Sequence, residues 1–186
     1  MKNIILIITL LSINLVSCQT FPLNDNNKSD APAGAYFKDL DGELNKYIGI
    51  WKGNWNGKTV FLELKKVKYQ MDDIFIDRIL GERKIVSANG NIEIDRISNF
   101  DNEHPEFRGM TKSIKPPGRD RLTFYPKNMC RKSATLDIVN FTGTQMTLHL
   151  EYEPSAYDEN CIHNAYVQQN GDFPINFPKD ITLTKQ

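Results

Sequence analysis

The side chains able to do chemistry in this 186-residue sequence are few and scattered: three histidines, three cysteines and several close pairs of carboxylates. An activated serine needs an elbow such as Gly-x-Ser-x-Gly, a hydrolytic zinc needs His-Glu-x-x-His, and phosphate or dinucleotide chemistry needs a glycine-rich loop opening a helix. None of these patterns occurs. His149 falls on the polar phase of an alternating stretch, His104 stands beside Pro105 in a loop-like segment, and His163 follows Cys161 by two residues. Each reads as a surface residue rather than a general base. Asp72-Asp73 and Glu151/Glu153 have the chemistry for proton exchange, yet adjacent acids in a turn and alternating acids on a wet strand face account for them. The reading is of a non-enzymatic protein with no cofactor.

The N-terminus carries the most specific signal. Met1, Lys2 and Asn3 make a short basic start, and Ile4 to Val16 is almost continuously apolar. That run is short for a membrane span and fits the core of a signal peptide. Leu15-Val16-Ser17-Cys18 resembles the bacterial lipobox, which implies cleavage before Cys18 and lipidation of that cysteine with a diacylglycerol and an N-acyl chain such as palmitate. At about 0.8 kcal/mol per buried methylene, two or more chains give stable anchoring without a spanning helix. Gln19 stands where an aspartate would favour inner-membrane retention in the enterobacterial pattern, so the resemblance places the protein in the cell envelope, at the outer membrane. Residues 19–35 are polar and interrupted by Pro22, Pro32 and Gly34. They read as a flexible tether. The expected organisation is a signal peptide at 1–17, lipidated cysteine and tether at 18–35, and one domain at 36–186.

The elements that must position any site begin at Tyr36. Phe37, Leu40, Leu44 and Tyr47 recur at spacings of three and four, predicting one short amphipathic helix. Strand and turn signals follow. Asn56-Gly57 and Asn89-Gly90 each lie between alternating segments and predict type I′ hairpins, whose two central residues need positive φ. Gly143 and Asn170-Gly171 mark further turns. Met146, Leu148, Leu150 and Tyr152 alternate with Thr147, His149, Glu151 and Glu153, as in a strand with one buried and one wet face. Leu136 with Ile138, then Val60, Leu62 and Leu64, then Ile92 and Ile94, repeat the pattern. Eight to ten strands are enough to close a single antiparallel β-barrel and leave no exposed edge.

The run LNKYIGIWKGNW, with Gly49 and Trp51 as a Gly-x-Trp on the first strand, resembles the start of lipocalin and related calycin barrels. The resemblance implies that Trp51 packs across the closed end of the barrel and that the preceding helix plugs it. An ordinary core tryptophan in another antiparallel barrel or sandwich would look the same at this level. The whole chain also resembles small Gram-negative lipoproteins that carry a signal, a lipobox, a polar tether and one β domain of unknown function.

With Cys18 set apart, Cys130 and Cys161 form an even pair, and in an exported protein such a pair is most economically a disulfide. Cys130 precedes one strand and Cys161 follows its hairpin partner, so the turn at Gly143 brings them together. Cys161, His163 and His149 as metal ligands lack a second close ligand pair, and no metal is expected.

Lys and Arg number 23 against 23 Asp and Glu, which argues against a nucleic-acid binder held by bulk charge. Loss of Lys2 would leave a mature side-chain charge of −1. Within that near-neutral total, residues 107–132 carry Arg108, Lys112, Lys115, Arg119, Arg121, Lys127, Arg131 and Lys132 against Asp120 alone, and residues 133–178 carry six acids and no Lys or Arg. One outcome is mutual neutralisation across the sheet. The other is a basic strip facing anionic lipid or polysaccharide. Two function classes follow: a lipid-anchored binding module for a small apolar ligand in the barrel or an anionic envelope component on the strip, and a structural or protein-interaction lipoprotein whose packed core holds no ligand.

Overall fold

The computed structural model describes residues 19–25, 28–112, 118–127, 129–130, 132–152, 160–171, 173–174 and 177–186. Cys18, Lys115 and Arg131, and the side chain of Lys112, lie outside what is described. Two compact units are present. One takes the described residues up to Asp41 together with Lys68–Asp77; the other takes Gly42–Val67 and Arg78–Gln186.

The larger unit is built on a closed antiparallel barrel of eight strands, of which β4 and β5 run on into the smaller unit: β3 (Gly49–Trp55), β4 (Lys58–Met71), β5 (Ile74–Val86), β7 (Phe107–Lys112), β8 (Asp120–Phe124), β9 (Ala134–Phe141), β10 (Gln145–Tyr152) and β11 (Asp180–Lys185). Their order is β5-β4-β3-β11-β10-β9-β8-β7, and pairing of β7 back onto β5 at Ile79↔Gly109 and Gly81↔Phe107 closes the ring. Closure satisfies the edge hydrogen bonds that an open sheet would leave to other chains. Val60, Leu62 and Leu64 of β4 are fully buried, as are Met146 and Leu148 of β10 and Leu183 of β11 to within 1% exposure. These are the expected apolar phases. Asn56 and Gly57 adopt φ of 49° and 79° between β3 and β4, the predicted two-residue turn.

At one end, Trp51 is completely buried and its Nε1–H donates to the Tyr47 carbonyl at 2.8 Å. The rings of Tyr47 and Trp51 lie 5.1 and 6.0 Å from that of Phe141, and Lys185 Nζ stands 5.4 Å from the Trp51 ring centre. The Tyr47 hydroxyl donates to Asp120. Phe107, Phe124 and Phe177 form a second aromatic cluster with centroids 4.6 to 5.6 Å apart.

Several expectations need correction. No amphipathic helix spans 36–47: Tyr36–Lys38 is strand β2 of the smaller unit, and only Asn45–Tyr47 coils, as one 3-10 turn. Gly42 at φ 69° leaves the helical region between them, and the spacing of three between Leu44 and Tyr47 suits a 3-10 turn, where i and i+3 eclipse. The α-helix found among the described residues is α1 (Asn164–Asn170), which buries no residue and so carries no apolar period to announce it. Gly171, expected in a plain turn, caps it at φ 77° with its N–H on Val167 O. Asn89-Gly90 is not a type I′ pair, since only Gly90 has positive φ; Ser87 and Asn91 close a longer loop instead. Ile92 and Ile94 belong to β6 (Ile92–Asp95), which pairs with β5 outside the ring and leaves Ile92 57% exposed. Thr135 and Asp137 of β9, on the strand face opposite Leu136 and Ile138, are buried as well.

In the smaller unit the polar stretch read as a tether is not coil throughout. Thr20–Pro22 forms β1, parallel to β2, which in turn runs parallel to β5 at Tyr36↔Phe75. Phe21 stacks on Phe37 at 5.3 Å, and Phe37, Ala35 and Ile74 make a small core. Phe21 is the apolar residue that a composition average over the stretch conceals.

Candidate functional site

The register of β7 and β8 sets Phe107 opposite Phe124. The segment entering β7 therefore meets the segment leaving β8, and the Tyr125 N–H extends the ladder to Glu106 O at 2.6 Å. Beyond that bond a cavity of about 310 Å³ opens, lined by His104, Pro105 and Arg108 from one side and by Tyr125, Lys127 and Lys132 from the other. That volume is at the small end for ligand sites.

Three of the basic strip residues converge there. The Arg108 guanidinium lies 5.2 Å from the Tyr125 ring centre, and its Nη2 donates to the Glu103 carbonyl at 3.2 Å. Its Nε is buried and has no hydrogen-bond partner. Lys127 Nζ donates to His104 O at 2.6 Å and lies 3.6 Å from Asp101 Oδ2. Lys132 Nζ stands 5.1 Å from the Phe173 ring centre. The arrangement brings positive charge and an aromatic face to one small volume, which suits a phosphate or carboxylate.

The rest of the strip is placed differently. Arg121 sits opposite Asp137 in the β8–β9 register, with Nε 2.5 Å and Nη2 3.1 Å from its two oxygens. That pair is the mutual neutralisation foreseen for adjacent segments of opposite sign, and it explains why Asp137 is buried. Arg119 is exposed. Cys130 and Cys161 are disulfide-bonded with Cα atoms 5.6 Å apart, which removes Cys161 from the metal reading. His149 instead pairs with Asp180 at 2.6 Å. A second cavity of about 310 Å³ in the smaller unit is lined by Lys28, Ser29, Asp72 and Asp73 among others. Its charges are mixed, and Lys28 is already bound to the Asp25 carbonyl.

Beside the basic pocket lies a set of buried charges. Arg83 and Glu106, 3% and 1% exposed at their side chains, meet at 2.9 and 3.2 Å in a bidentate pair. Glu82 is fully buried, and neither of its carboxylate oxygens has a hydrogen-bond partner. Arg96 Nε, at 3.8 Å, is its nearest paired cation. Burial, then the charge of Glu106, pushes Glu82 up to about 7. Asp101 is held below the usual carboxylate range, chiefly by the His104 amide.

Sequence reasoning weighs His104 beside Pro105 only to set it aside as a surface residue, and it singles out neither Tyr125 and Pro126 nor Glu82, Arg83 and Glu106. A signal existed for each group: Glu82-Arg83 is a charged pair inside an apolar strand, and the two X-Pro steps flank strands that pair. No curated protein and no solved structure is significantly similar to the chain. A family model matches residues 1–186 from end to end, and the chain belongs to the Family of unknown function (DUF6705).

Proposed function

We propose that the protein is a lipid-anchored binding module of the cell envelope whose basic pocket receives a phosphate group of an anionic envelope lipid. The observation that carries the reading is the cavity itself, whose wall brings Arg108, Lys127 and Lys132 together, with Arg108 over the Tyr125 ring. The buried Trp51, Phe107, Phe124 and Phe177 favour this pocket over an apolar ligand held inside the barrel. The lipobox-like Leu15-Val16-Ser17-Cys18 supports the anchor. Tethering would hold the pocket near lipid head groups, where each basic residue contributes about 1 kcal/mol of attraction.

Two measurements test the two halves. Labelled palmitate should enter the protein made in a Gram-negative host and be lost in Cys18→Ser; equal labelling of both would remove the anchor. The chain from Gln19 onward, lacking the acylated cysteine, should sediment with vesicles rich in anionic phospholipid and not with zwitterionic ones. Arg108→Gln with Lys132→Gln should weaken that partition about 30-fold, from two contributions of about 1 kcal/mol. Unchanged sedimentation would contradict the lipid reading. Binding to an acidic polysaccharide in place of vesicles would keep the pocket and change its ligand. Loss of both would leave the packed barrel as a protein-interaction module.

A further inference from the structure

Asp101 Oδ2 serves two cations at once. Its other oxygen, Oδ1, is occupied by the amides of His104 and Glu103 at 2.7 and 3.0 Å. Oδ2 lies 3.6 Å from Lys127 Nζ and 3.9 Å from Arg96 Nη2. Arg96 in turn is shared, because its Nε is 3.8 Å from Glu82 Oε2 and has no hydrogen-bond partner. Both of its carboxylate distances are well beyond hydrogen-bond length. Arg96 therefore stands between two carboxylates and is bonded closely to neither. Lys127 also favours the ionised form of Glu82 directly through its charge, as Arg96 does. The other charges nearby are committed elsewhere: Glu106 to Arg83 at 2.9 Å, Glu63 of β4 to Lys65 at 3.3 Å, and Lys84 of β5 to Asp95 of β6 at 2.9 Å.

We propose that protonation of Glu82 controls the basic pocket through Arg96 and Asp101. While Glu82 is ionised it holds Arg96, and Asp101 Oδ2 is left to Lys127. When Glu82 takes a proton from solvent, Arg96 loses its reason to stay and turns to Asp101. Asp101 then releases Lys127 to an anion. The inference rests on the pocket being an anion site and adds to it a dependence on proton concentration. Burial beside Glu106 pushes Glu82 up to about 7, so the change falls near neutrality. Linkage requires the converse as well: an anion that draws Lys127 away must make Glu82 easier to protonate.

The test uses the mature protein in a neutral detergent and inorganic sulfate, whose charge is constant between pH 6 and 8. His104→Asn serves as the parent, since His104 lines the same cavity and its charge acts on Asp101, while its hydrogen bonds to Asp101 and Lys127 run through the backbone. Sulfate binding, followed by the Arg108 Nε–H resonance, should be about fivefold tighter at pH 6 than at pH 8, the lower end of couplings between sites. Glu82→Gln should bind at the tight value at both pH values. A parent that binds sulfate equally at both overturns the coupling while keeping the pocket. A parent that binds none overturns the pocket reading.

A second measurement judges the relay without a ligand. The Glu82 side-chain carboxyl resonance is titrated in the parent, in Lys127→Met, in Asp101→Asn and in the double variant. Removing Lys127 raises the Glu82 midpoint by loss of its own charge and, in the relay, also by freeing Asp101 Oδ2 for Arg96. The rise caused by Lys127→Met should therefore be smaller in the Asp101→Asn background than in the parent. A rise of equal size in both backgrounds overturns the relay.

Discussion

Arg83→Met should lower the unfolding free energy of the barrel by about 3 to 5 kcal/mol, the usual consequence of leaving one partner of a buried ion pair alone. The Arg83 guanidinium and Glu106 carboxylate are almost wholly out of water and meet through two bonds, Nε to Oε2 and Nη2 to Oε1. Arg83 also stands 5.0 Å from the Phe124 ring centre. Methionine keeps much of the volume but abandons Glu106 close to Glu82, a second buried carboxyl. Urea unfolding measures the loss. Arg83→Met with Glu106→Gln should recover a large part of it, because the cost lies in the orphaned charge more than in the missing attraction. Acidification should likewise recover part in the single variant, since the lone carboxyl can then be buried as the neutral acid. A single-variant loss below about 1 kcal/mol, the range of surface pairs, would mean that water reaches this pair.

Cys130→Ser with Cys161→Ser should lower stability by roughly 3 to 4 kcal/mol, from the chain entropy regained when a closed loop of 31 residues is opened. The bond also has a local task. Cys130 is two residues before Lys132 in the pocket wall, and Cys161 precedes α1, accepting the Asn164 N–H at its carbonyl and the His163 N–H at its sulfur. Releasing it should let Lys132 drift and weaken anion binding along with stability. Comparison of oxidised and reduced wild-type protein in the same urea titration gives the first quantity, and vesicle sedimentation below the transition gives the second. Equal midpoints in both redox states would contradict the contribution assigned to the bond.

The barrel was legible in the sequence wherever one strand face was buried and the other wet. Val60, Leu62 and Leu64, and Met146, Leu148 and Leu150, announce their faces by alternation, and Asn56-Gly57 announces its turn by the φ values it alone tolerates. The disulfide followed from the hairpin between β9 and β10. Elements stabilised by neither alternation nor an apolar stripe were not legible: β6 lies outside the ring with Ile92 exposed, and α1 buries nothing. The helix expected near residue 40 rested on a spacing that Gly42 interrupts and that Phe37 satisfies in a strand instead. The basic strip was visible as composition, but composition does not separate Arg121, neutralised by Asp137, from Arg108, Lys127 and Lys132, which face a cavity. Only the pairing of Phe107 with Phe124 brings residues 104–108 against 125–127.

The most direct measurement of anion recognition is a proton–nitrogen correlation spectrum of the protein titrated with pyrophosphate at fixed pH and low salt. Shifts should concentrate on the Arg108 Nε–H and on the amides of His104, Tyr125, Lys127 and Lys132, diminish in Arg108→Gln with Lys132→Gln, and weaken as added salt screens the charges. Shifts centred on Arg119 or spread over the basic residues alike, with the Arg108 Nε–H unmoved, would contradict a phosphate site in this pocket.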